Sequence, residues 1–185
     1  MFKDNRLKTI VHINSMINGS TRRIMNGLSI VMREKKWNVY TFTDGHRFQR
    51  EINIKDSRNH FFIGSSIEST LHKKMGYYTG KSGTYSKRAT MEMVAKLKKI
   101  QPDIVHLHNL HESYINYEIL FKYLKDNNIK VVWTLHDCWA FTGHCPHFIV
   151  TGCDKWKRKC CNCPSYGEYP QSRIDNSEFL TINTK

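Results

Sequence analysis

The sequence predicts an α/β fold, a parallel sheet with helices on both faces that carries a cysteine-rich loop. Short apolar strands alternate with amphipathic helical stretches, a Gly-containing loop follows the first strand, and all six cysteines lie between residues 138 and 163. With 185 residues, 39% hydrophobic and 24% charged, the chain suits one domain with a core of ordinary size.

Taken in order, Leu7–Ile13 (LKTIVHI) reads as a short strand and Asn14–Ser20 as a loop containing Asn18-Gly19-Ser20. Ser20 or Thr21 caps a helix running to about Lys36, with Ile24, Leu28 and Val31 on its inner face. Asn38–Thr43 (NVYTFT) is a second strand. Strand, loop, helix and strand make a βαβ unit, the Rossmann-like pattern that calls for a parallel sheet. His60–Ile63 is a third strand, Ser69–Lys74 a helix, and Gly76–Tyr85 (GYYTGKSGTY) a mobile loop. Ser86–Ile100 has Met91, Val94, Leu97 and Ile100 at helical spacing and stops at Pro102. Asp103–Leu107 is a strand, Ser113–Lys125 a helix with Ile115, Ile119 and Leu120 inward, and Lys130–Leu135 (KVVWTL) a buried parallel strand. The segment from Gln171 to Lys185 is polar and carries little pattern.

No run of 18 apolar residues exists, so no membrane-spanning helix is expected. The N-terminus lacks the apolar stretch and cleavage site of a signal peptide, which places the chain in the cytoplasm with its cysteines reduced. A net charge of +13, from 29 basic and 16 acidic residues, favours an anionic partner: nucleic acid, anionic lipid or a phosphorylated substrate. The same lysines, spread along the chain, also serve solubility.

Two clusters carry chemistry. His106, His108 and His111 (HLHNLH) lie at or past the end of one strand, and His136-Asp137 follow the next. Neighbouring parallel strands end on the same side, so their loops share one crevice, and His108 and His136 face each other across a ligand. A histidine there donates to a sugar hydroxyl or a phosphate. Strand alternation turns His106 and His108 to one face. The blander alternative is that these histidines satisfy buried backbone groups. A three-histidine metal site is a further option, although HLHNLH lacks the i, i+4 spacing of a helical zinc motif.

The second cluster is Cys145, Cys153, Cys160 and Cys163, ending in a C-x-x-C knuckle suited to a four-thiolate, structural zinc site. His144 and His147 are alternative ligands, Cys161 is an alternative to Cys160, and Cys138 is a small buried residue. Reduced cysteines packing without metal, disulfides (six cysteines allow 15 pairings) and an iron–sulfur cluster are the other readings. Four protein ligands leave no open position, so the metal would be structural, holding the Lys155–Lys159 loop (KWKRK) against the domain.

PDIVHLHNLHESYINYEILFKYL, VVWTLHDCWAFTGHCPHF and GCDKWKRKCCNCP together resemble bacterial family 4 glycosyltransferases of the colanic-acid and capsule type, from the first strand to about Lys185. The resemblance implies a GT-B enzyme in which two Rossmann-like domains face a cleft. Residues 1–185 would be the N-terminal, acceptor-side domain, with residues 138–164 as a Cys-rich zinc-binding insert. It implies retaining transfer from a nucleotide-sugar donor to a saccharide or lipid-diphosphate-linked acceptor, without a catalytic metal. His108 would be catalytic with His136 in support. Asn18, Gly19, Ser20, Thr21, Asn109, His111 and Asp137 would bind substrate. The chain departs from the family pattern at Arg22, where Gly-Ser-Thr is commonly followed by glycine, and at Glu112, where His-Gly is common. A GT-B enzyme needs roughly twice this length. The chain is therefore expected to be cut short, to lack its C-terminal donor domain and to be inactive alone. Basic residues would draw it peripherally to anionic lipid at the inner face of the cell membrane. No nucleic-acid partner is expected on this reading. A zinc-knuckle-type nucleic-acid-binding protein is the competing one, resting on WKRKCCNC and the positive charge.

Overall fold

The computed structural model describes residues 6–15, 19–44 and 59–184. Strands β1 (Thr9–Asn14), β2 (Asn38–Thr43), β3 (His60–Phe62), β4 (Ile104–Leu107) and β5 (Lys130–Trp133) form one parallel sheet in the order β3-β2-β1-β4-β5. Helix α1 (Gly19–Glu34) joins β1 to β2, α2 (Ser66–Thr79) and α3 (Lys87–Ile100) lie between β3 and β4, α4 (Tyr117–Asp126) joins β4 to β5, and α5 (Ser177–Thr184) comes last. This is a Rossmann-like α/β fold. Strand order reverses between β1 and β4, and the carboxyl ends of those two strands open the crevice in which such sheets bind ligands.

Alternation along the strands divides the two faces. Val11, Ile13, Phe42, Val105 and Leu107 form one core with Met93 and Leu97 of α3 and Tyr117 and Leu120 of α4. Ile10 and His12 turn to the opposite face, the side of α1, whose Met25 and Ser29 are buried. The β1–β4 register sets His12 directly beside His106.

Several elements differ from the sequence-based expectation. The inner face of α1 is Met25 and Ser29, while Ile24 and Val31 are exposed. Ser29 donates to the Met25 carbonyl (2.8 Å), and its small side chain lets the helix sit close to the sheet. Helix α2 runs past both expected ends and takes Gly76–Thr79 out of the expected loop. Ser65 caps its start, its Oγ accepting from Glu68 N–H and donating to the Glu68 carboxylate. Gly76 is a close-approach position, where a Cβ would stand 3.4 Å from Ser82 Cα. In α3, Met91 points outward and Ala89, Thr90, Met93 and Leu97 point inward. Strand β5 is parallel but half-exposed at Val131 and Val132, because it lies at the sheet edge. The polar C-terminal segment contains α5, anchored by buried Leu180.

Candidate functional site at the carboxyl ends of β1 and β4

The peptide at His108-Asn109 is fixed from three sides. His108 N–H donates to the Ile13 carbonyl (2.9 Å), extending the β1–β4 pairing. The Asn109 carbonyl accepts from Ser15 N–H (3.0 Å) and the Tyr114 hydroxyl (2.8 Å), and the His108 carbonyl accepts the Trp133 indole N–H (2.9 Å). With its backbone so held, the His108 ring cannot drift from the end of β4.

Three imidazoles form a chain. His12 Nδ1 lies 3.3 Å from His108 Nε2, and His108 Nδ1 lies 3.0 Å from His136 Nε2. His106 stacks on His108 with ring centroids 4.4 Å apart and pairs its Nε2 with Thr134 Oγ1 at 2.8 Å. His12 and His108 are buried, and half-buried His136 is the outer end. Burial, reinforced by the repulsion that neighbouring histidines such as His106 would exert once protonated and, at His12, by Arg33, pushes His12 and His108 down to about 3. Burial also lowers His106 and His136, and for His136 the charge of Asp137 opposes it. These rings are therefore neutral near pH 7, each with one N–H and one lone pair.

A second network lies beside the first. His111 Nε2 is 2.7 Å from Asp137 Oδ2, and its Nδ1 is 3.0 Å from the Tyr169 hydroxyl, which also meets Glu112 Oε1. Burial raises the Asp137 carboxyl, but the hydrogen bond and charge of His111, with Trp139 N–H (2.9 Å), outweigh it and hold Asp137 below its ordinary value. Glu112 stands at φ 102°, a conformation that costs any residue but glycine, at the position where glycine is common in the resembling family. Glu112 and Tyr169 also line a groove of about 900 Å³ with Lys73, Lys74, Tyr77 and Tyr78.

The structure thus brings His108, Asn109, His111, His136 and Asp137 to one pocket. Gly19, Ser20 and Thr21 form the first turn of α1, tied to the end of β1 by Asn14 Nδ2 donating to Thr21 Oγ1 (3.2 Å). Asn18 lies outside the described residues. Arg22 follows in the same turn, and its charge adds to burial in lowering His60 to about 4. His12, Tyr169 and the large groove are site features that the sequence does not single out, whereas Glu112 stands out there as a departure from the family pattern. A histidine in the otherwise apolar run of β1 was a signal for His12, but its partner depends on strand register.

Cys145, Cys153, Cys160 and Cys163 line one small cavity with His144, Cys161 and Trp156, and all six cysteines are free thiols. Gly143 N–H donates to Cys160 Sγ (3.2 Å), and Lys155 Nζ holds the Cys161 and Asn162 carbonyls at 3.1 and 2.7 Å. A hydrogen bond from Cys145 brings Cys163 down to about 7, while Cys145 is pushed up. The donor set fits a thiolate metal site in its chemistry. Among the described residues, however, the trio whose ligand atoms all lie within 4.8 Å of one another is His12, His106 and His108. Closing a four-sulfur tetrahedron, with edges of about 3.8 Å, requires the thiols to rotate inward.

Over 89 residues the chain is 34% identical to the "Putative colanic acid biosynthesis glycosyl transferase WcaC" of Escherichia coli strain K12. That alignment covers 45% of this chain and 22% of that protein, so the chain spans about a fifth of the length of the relative it matches. No family model and no solved structure matches the chain. The likeness supports a relationship to a glycosyltransferase. No helix among the described residues is long and apolar enough to cross a membrane.

Proposed function

We propose that the chain is the acceptor-side domain of a retaining GT-B glycosyltransferase of family 4, acting in bacterial surface polysaccharide synthesis. The observation that carries this reading is the placement of His108 past the end of β4, at the β1–β4 switch point, with His136 of the β5 end 3.0 Å from it, together with a groove lined by Glu112 and Tyr169 that is large enough for a saccharide. The neutral His136 ring, held by His108 at 3.0 Å, offers its outer nitrogen to hydroxyl and phosphate oxygens without adding charge. Asp137, through His111 and Tyr169, holds the wall between pocket and groove. Tyr77 and Tyr78 offer rings for a sugar face, and Lys73 and Lys74 offer cations for a lipid diphosphate. Ser20 and Thr21, in the first turn of a 16-residue helix, present N–H groups suited to phosphate oxygens.

The nucleotide-sugar donor is assigned to a second Rossmann-like domain across the cleft. No catalytic metal is needed, and zinc on Cys145, Cys153, Cys160 and Cys163 would be structural. The location proposed is cytoplasmic and peripheral to the inner membrane face.

The test is His108→Ala in the full-length enzyme, assayed with nucleotide sugars and a lipid-diphosphate saccharide. Loss of the ring that orients His136 at the pocket should lower turnover about 100-fold or more while the circular dichroism spectrum is kept. Unchanged turnover would remove His108 from the reaction.

A further inference from the structure

The three-histidine chain has a direction. Each neutral imidazole carries one proton, so fixing one ring fixes the others. In the inward arrangement, His136 Nε2–H donates to His108 Nδ1 and His108 Nε2–H donates to His12 Nδ1. The His12 proton is then left on Nε2. That atom is buried and finds no hydrogen-bond partner among the described residues, in a side chain 0% exposed. In the outward arrangement, His12 Nδ1–H donates to His108 Nε2, and His108 Nδ1–H donates to His136 Nε2. His12 Nε2 then keeps only a bare lone pair, and His136 carries its proton on Nδ1 of a half-buried ring that lines the pocket. A buried N–H without an acceptor is among the rarest features of folded proteins. The outward direction avoids it, and the last N–H is delivered to the one ring that water or ligand can reach.

We propose that His12 is a positioning residue that fixes the tautomers of His108 and His136, so that the cleft meets its ligand with an N–H donor on His136 and takes an oxygen acceptor, such as a diphosphate oxygen, rather than withdrawing a proton from it. The consequence for the ligand rests on the sugar-transfer reading above; the tautomers do not. His136 Nε2 is occupied by His108 and His136 Nδ1 is protonated, so neither nitrogen is free to act as a base. His106 stays outside the relay, since its Nε2 is paired with Thr134. The competing use of these rings is a transition-metal site on His12, His106 and His108. Arg33 adds a positive field at His12, which disfavours a buried dication.

The experiment is ¹⁵N–¹H long-range correlation on the intact protein labelled at histidine, at pH 7.5, where tautomers separate by their nitrogen shifts. His12, His108 and His136 are each expected as the Nδ1–H form. In His12→Phe the donor to His108 disappears, and His108 and His136 should become tautomer mixtures. His12→Asn, whose amide nitrogen replaces Nδ1, should restore the single forms. Nε2–H at His108 and His136 in the unmodified protein overturns the proposal, and so does a His12→Phe spectrum unchanged at both rings. Metal-bound shifts on His12, His106 and His108 when Zn²⁺ or Co²⁺ is added also overturn it and assign the rings to a metal. None of these readouts requires sugar transfer, so the tautomers and the activity fail separately.

Discussion

His72 illustrates how a single residue here is specified by its surroundings. Gly83 N–H donates to its Nε2 (2.9 Å), so its proton sits on Nδ1 and is given to Ser86 Oγ (2.7 Å). Burial lowers His72 to about 4, as it lowers His12 and His108 to about 3. The sign of the pH dependence follows. In the unfolded chain these rings take up protons below about pH 6.5, whereas the folded chain refuses them until pH 3 to 4. Stability is therefore full above pH 6.5 and falls as pH drops towards 4, by about 1.4 kcal/mol per pH unit for each such histidine. Urea denaturation at pH 7.5 and at pH 5 should give a clearly lower midpoint at pH 5. Equal midpoints would mean that the rings are not held neutral by the fold. Sequence reading found His106, His108, His111 and His136 because they cluster in two short stretches next to strand ends. It passed over His12, whose role exists only through a strand register that aligns residues 12 and 106.

At the level of elements, the parallel strands and their connecting helices were legible, because each combines an apolar run with a turn or cap. Inner faces were less so. Ile24, Val31 and Met91 looked like core by their chemistry but lie outside, since the small residues Ser29 and Ala89 decide how closely helices approach the sheet. Residues 138–164 are the least regular part, built from 3-10 turns at residues 139–141, 148–151 and 155–157 rather than from long elements. Little apolar burial holds such a segment, so a metal would contribute much of its order. One zinc per chain is expected by elemental analysis of protein purified under reducing conditions, and Cys153→Ser or Cys163→Ser should lose it. Chelation should speed hydrogen exchange across 138–164 and leave β1 and β4 protected. Absence of metal from a soluble, monomeric sample would assign the cysteines to packing or redox chemistry. Asp175 gives this loop its link to α5: it accepts Cys163 N–H on one oxygen (2.7 Å) and Ser177 N–H on the other (2.9 Å).

At the scale of the whole molecule, the basic residues behind the +13 net charge are spread along the chain, and such a charge acts at range. For a protein that meets a lipid-linked acceptor, such a field steers approach to an anionic bilayer and weakens as salt shortens its reach to about 10 Å at 0.1 M. Sedimentation with vesicles containing anionic lipid should show binding at low salt that fades as salt rises, with little binding to zwitterionic vesicles. A salt-dependent mobility shift with single-stranded RNA, and none with vesicles, would instead favour a nucleic-acid partner.

The tryptophans divide the molecule into separately visible regions. Trp133 and Trp139 line the histidine pocket, with the Trp133 indole bonded to the His108 carbonyl, while Trp156 lies among Phe141, Phe148 and the cysteines. Trp37 sits away from both, beside Lys8. Light emitted by the first pair therefore reports on what enters the cleft, and light from Trp156 on what the thiols hold. In Trp156→Phe protein, a change in emission when an acceptor saccharide is added would come from the cleft, so occupancy of that site is readable by eye of a fluorimeter before any product is sought.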